Sequence, residues 1–127
     1  MIVKKVLCPE RLRHVPEKFS WVDHRLIRDN HIQRCGPEAL ALYLLLVTVG
    51  DAEGLSYYSD ATVGRLLSID PPTVGGARRE LVEAGLVAYQ RPLYQVLSLD
   101  GVTETPARKG QAVPITEILR NMTGGER

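Results

Sequence analysis

Apolar residues recur at helical spacing in two neighbouring stretches of the chain. Val63, Leu66 and Leu67 form one stripe, and Val74, Ala77, Leu81 and Ala84 form a second at intervals of three and four. Between them, Asp70 suits the acceptor position that opens a helix and Pro71 suits the first turn, so a new helix is predicted to start near Pro71. Gly85, just past the last periodic residue, fits the left-handed position that ends many helices. Upstream, Pro37 to Val49 is apolar on nearly every side and predicts a three-turn helix at the buried centre, with Leu40, Leu44, Leu45 and Val47 in the core. Leu55–Tyr58 has strand character, and Ser59 suits the cap of the helix that follows. Leu86–Tyr89, a Gln90-Arg91-Pro92 turn and Leu93–Leu99 predict a β-hairpin.

The flanks are patterned more weakly. Met1–Cys8 and Phe19–Val22 have the composition of short strands, with an extended, basic stretch between Pro9 and Pro16. Trp21, the single tryptophan, is expected as a core plug. Asp23 suits the cap of a short helix through Arg28, with a turn at Asp29-Asn30. Beyond Gly101 a stretch without periodicity reads as a linker. Pro114–Met122 follows, with Ile115, Ile118, Leu119 and Met122 on one helical face that needs a partner, either the chain's own core or another chain.

The run Val63-Gly64-Arg65-Leu66-Leu67-Ser68-Ile69-Asp70, continued by Thr73-Val74 and Glu80-Leu81-x-x-Ala84-Gly85-Leu86-Val87, resembles the helix-turn-helix of bacterial winged-helix transcriptional regulators and of phage and plasmid replication initiators. Gly64 stands where two steeply crossing helices need a small residue; Ser68 stands where the family usually has glycine. The resemblance implies an α+β, mostly helical winged helix-turn-helix, in the order helix, strand, helix, helix, strand, strand over residues 37–99. The expected organisation is a basic arm (1–35), the winged-helix domain (36–100) and a tail (101–127).

Charge separates these regions. Residues 1–35 carry eight Lys/Arg against four Asp/Glu, a net +4, whereas residues 36–100 carry four against eight, a net −4. A DNA-binding winged helix would dock the helix after Pro71 in the major groove, as the resemblance implies. Its outward residues, Pro72, Thr73, Gly75, Gly76 and Arg79, are a poor set of base readers, because only Thr73 and Arg79 donate useful hydrogen bonds. Gly75-Gly76 weakens the helix by about 1 kcal/mol per glycine relative to alanine. Close approach to a phosphate or a partner helix and a poorly specified surface are both consistent with the pair. Arg78 is expected at the core margin with its charge outward, near Glu80 and Glu83. Arg91 at the hairpin tip and Lys4, Lys5, Arg11, Arg13 and Lys18 in the arm are the remaining candidates for phosphate contacts.

The partners expected are therefore double-stranded DNA and, for a homodimer or a larger assembly, another protein chain. Transcriptional control, or replication or transposition of a mobile element, are the roles the resemblance implies. The alternative is a non-catalytic adaptor whose exposed helix and Ile115–Met122 segment bind another protein. No phosphate loop, nucleophile elbow or paired acidic motif argues for an enzyme, a cofactor or a small-molecule substrate. His31 and Cys35 lie one helical turn apart, but without a second close pair no metal site is expected, and the histidines are read as surface residues and the cysteines as buried thiols. No charged-then-apolar leader and no membrane-length apolar run occurs, so a cytoplasmic protein with reduced Cys8 and Cys35 is expected.

Overall fold

A computed structural model describes residues 3–100. The segment containing Ile115, Ile118, Leu119 and Met122 lies outside the described residues. Within them the protein is an α+β structure of four helices and a three-stranded antiparallel sheet: α1 (Arg25–Arg28), α2 (Pro37–Val49), β1 (Leu55–Tyr57), α3 (Asp60–Leu67), α4 (Pro71–Glu83), β2 (Val87–Gln90) and β3 (Leu93–Val96). Single 3₁₀ turns at Pro9–Arg11 and Ile32–Arg34 precede α1 and α2.

The helix ends follow local chemistry. Ser59 Oγ accepts the Thr62 amide at 3.1 Å and opens α3. Asp70 accepts the Thr73 amide and opens α4 at Pro71. Ser68 ends α3 in the left-handed region at φ 62°, a conformation that glycine adopts at no steric cost. Gly64 sits where α3 meets the turn: a β-carbon there would come within 2.6 Å of the Ile69 carbonyl oxygen.

β3 is the central strand. It pairs with β1 in the register Leu55↔Gln95 and Tyr57↔Leu93, and with β2 in the register Val87↔Val96 and Gln90↔Leu93. The sheet, α2 and the α3–α4 pair enclose a core whose largest fully buried members are Tyr94, Leu42, Leu46, Leu81 and Leu86. Burial of each such leucine contributes about 1.5–3 kcal/mol before entropy is counted. Leu26 of α1 joins the same core.

Several expectations are corrected. In α2 the buried residues are Ala39, Leu42, Tyr43 and Leu46, whereas Leu44 is exposed and Leu40, Leu45 and Val47 are half-buried. The helix packs on α4, β3 and α3, and a sequence apolar on nearly every side is fully buried only on the i, i+3, i+4, i+7 face of Ala39, Leu42, Tyr43 and Leu46. In α3 the buried side centres between Val63 and Gly64, which turns Leu66 to solvent. Residues 3–8 and 19–22 form no strand, and Trp21 is 75% exposed rather than a core plug. A strand needs a ladder partner for its amides, and neither segment pairs with the sheet.

Candidate nucleic-acid interface

The residues singled out for DNA contact fall on three places: α4, the hairpin tip and the arm. On α4, Val74, Ala77 and Leu81 face the core. Pro72 and Arg79 are exposed, and Thr73, Gly75 and Gly76 are half-buried. A β-carbon at Gly76 would meet nothing within 4 Å, so no packing inside the described residues requires glycine there. Arg91 is exposed in the two-residue link between β2 and β3, whose Arg91–Pro92 peptide is cis. The Pro92 carbonyl accepts the Tyr58 amide at 3.3 Å, which ties the tip to the residue before the α3 cap.

The start of α4 offers little to an anion. Pro71 and Pro72 lack amide protons, and the Thr73 amide is taken by Asp70. The Thr73 hydroxyl also donates to Asp70 Oδ1, at 2.6 Å, and this bond holds the Asp70 carboxyl below its ordinary pKa. Thr73 therefore has its proton committed to its own cap. A phosphate at this helix would meet a carboxylate rather than free N–H groups, and attraction must come from arginine side chains.

The four arginines of residues 36–100 divide sharply. Arg78 is the one turned inward: its guanidinium bonds Asp60 at 2.7 and 3.3 Å and the Tyr94 hydroxyl at 2.9 Å, and lies 4.3 Å from the centre of the Tyr89 ring. The expectation of an outward charge near Glu80 and Glu83 is thus corrected. Asp60, the first residue of α3, supplies the counter-charge, and Glu80 instead accepts the Gly36 amide at 2.7 Å, joining α4 to the start of α2. The bond to Asp60 raises the Arg78 pKa still further, and burial raises that of Tyr94. Arg65, Arg79 and Arg91 are exposed and make no hydrogen bond or ion pair among the described residues. Arg65 escaped the sequence reading. Its outward place on α3, beside the inward pair Val63 and Gly64, was the available signal.

The acidic excess of this region is partly consumed by the protein itself. Asp51 accepts the Glu53 and Leu55 amides, Asp60 holds Arg78, Asp70 caps α4, Glu80 holds Gly36, and Asp100 accepts from Arg25 at 2.8 Å. Bonds to neutral amides leave the charge in place, so the long-range field stays unfavourable to a polyanion.

Lys4, Lys5, Arg11, Arg13 and Lys18 are all exposed, as is the Cys8 thiol, against the expectation of a buried one. The arm holds to the domain through Ser20 Oγ, which donates to the Thr48 carbonyl at 3.2 Å. It is held again where Arg25 bonds both Asp23 and Asp100, which lowers the Asp23 pKa to about 2. Cys35 is half-buried, and burial pushes its thiol pKa up. His31 is buried, not a surface residue, with Arg34 against its Nδ1. Among the described residues no group of three His, Cys, Asp or Glu side chains is placed to hold a metal, and no helix is long and apolar enough to cross a membrane.

Compared with known proteins, the chain matches no family model, no curated protein and no solved structure.

Proposed function

We propose that this is a DNA-binding winged-helix protein, acting in transcriptional regulation or in replication or transposition of a mobile element. In this reading α3 and α4 are the helix-turn-helix and the β2–β3 hairpin is the wing. The observation that carries it is the separation of the arginines. Arg78 is locked inside the fold, while Arg65, Arg79 and Arg91 stand free on the first helix, the second helix and the hairpin tip. Those are the three elements that meet duplex in this architecture.

Because α4 presents prolines and glycines where base-reading side chains would stand, DNA shape and phosphate placement contribute more to selectivity than base contacts do. The basic arm adds phosphate contacts that offset the acidic domain. Fluorescence anisotropy of a labelled duplex across a salt series tests this. Replacing Arg79 and Arg91 together by alanine should lower the salt slope by about 2, one unit per lost phosphate contact. An unchanged slope and affinity would displace the interface from these residues.

A second reading, a winged-helix adaptor, is favoured by the exposed apolar side chains of the arm, Val6, Leu7, Phe19 and Trp21 among them. Absence of duplex binding at low salt, with retention of a protein partner, would select it.

A further inference from the structure

A cavity of about 510 Å³ opens where the arm crosses the C-terminal end of α2 and the chain that follows β3. Phe19 and Trp21 form its outer wall, with Val47 and Leu97 toward the domain. Phe19 and Trp21 remain 64% and 75% exposed, although they stand over an apolar floor that includes the fully buried Leu46. The rim is acidic: Asp23, Asp51, Glu53 and Asp100 surround it, with Arg25 as the one cation in the lining.

We propose that this cavity seats the chain's own C-terminal segment, with Ile115, Ile118, Leu119 and Met122 against Phe19 and Trp21. Three observations select that occupant. The described chain ends at Asp100, which is itself part of the cavity wall and is held there by Arg25 at 2.8 Å, so the segment departs from the cavity mouth. Residues 101–114 separate Asp100 from Ile115, a tether of at most about 50 Å that reaches every part of the cavity. A tether of this length keeps the segment at an effective concentration on the order of millimolar. Finally, residues 107–122 carry Arg108, Lys109 and Arg120 against Glu117 alone, complementary to the acidic rim, which repels nucleic acid. Docking covers the two most exposed aromatic side chains at the base of the arm and fixes the direction in which the arm leaves the domain.

Trp21 is the single tryptophan of the chain, so its emission reports on the cavity directly. The test is acrylamide quenching of the full-length protein against full-length Ile118→Asp/Leu119→Asp, with far-UV circular dichroism to show that both are folded. Docking removes more than half of the exposed Trp21 surface, so the parent should be quenched about twofold less than the variant and emit to its blue. Met122→Asp alone should move both readings in the same direction, and serves if the double variant does not fold. Equal quenching in parent and variants overturns the proposal. Protection that grows with protein concentration, together with a doubled mass in light scattering, overturns it too, because the segment would then sit on a second copy of the chain.

Discussion

The arm (residues 3–22) and helix α2 are both rich in branched and aromatic side chains, yet their fates differ. Leu42 and Leu46 of α2 are wholly buried, whereas Val3, Leu7, Leu12, Val15, Phe19 and Trp21 each show more than half of their surface. Apolar content alone does not bury a segment. α2 satisfies its amides internally and so can lay one face on α4 and β3, but the arm has neither a helical ladder nor a strand partner to bring its side chains together. In the two proposals above, such an arm offers its cations to duplex and Phe19 and Trp21 to the C-terminal segment.

Substitutions can break that contrast. Leu46→Ala should cost about 2–5 kcal/mol in urea unfolding, as loss of a fully buried leucine does. Leu12→Ala in the arm should cost less than about 0.5 kcal/mol. A larger cost at Leu12 would mean that the arm packs on the domain in solution. Two glycines of the α3–α4 pair, Gly64 and Gly76, should differ in sign. Gly64→Ala forces a β-carbon against the Ile69 carbonyl and should destabilise by about 1–3 kcal/mol. Gly76→Ala meets open space and should stabilise by about 0.5–1 kcal/mol, read as a raised melting temperature. If Gly76→Ala binds duplex as well as the parent, close approach of backbone at that residue is not part of the interface.

The smallest effect is acid sensitivity at the junction of arm and domain. Asp23 and Asp100 have lowered pKa values because Arg25 bonds both. A carboxylate whose folded value lies below its unfolded one contributes fully above the unfolded value and loses that contribution as pH falls through the folded one. For Asp23 the window runs from 3.8 down to about 2. Urea midpoints should therefore fall over that range, modestly because the groups are open to solvent, and Arg25→Met should remove this part of the acid dependence.

Much of the fold was legible because its signals are local. The bounds of α2, the caps at Ser59 and Asp70, the start at Pro71 and the hairpin turn at Arg91-Pro92 depend on dihedral preferences and on side chains reaching amides a few residues away. The candidate site is legible in the sequence as a set of exposed cations, Arg79 and Arg91 with those of the arm, but the exposure of Arg65 and the commitment of the Thr73 proton to its own cap are visible only in the structure.

What the sequence by itself determined is where α2 begins and ends and where α3 and α4 start, together with the opposite charges of arm and domain. Only tertiary structure decided that Arg78 faces inward to Asp60, Tyr94 and Tyr89, that one face of an all-apolar helix is covered, and that Trp21 lines a cavity instead of filling the core. The physical reason is range. Capping and turn energies act across three or four residues and can be read in order, whereas burial depends on which distant surfaces meet. Asp60 and Arg78, eighteen residues apart, acquire their relation only when α3, α4 and β3 close around Tyr94.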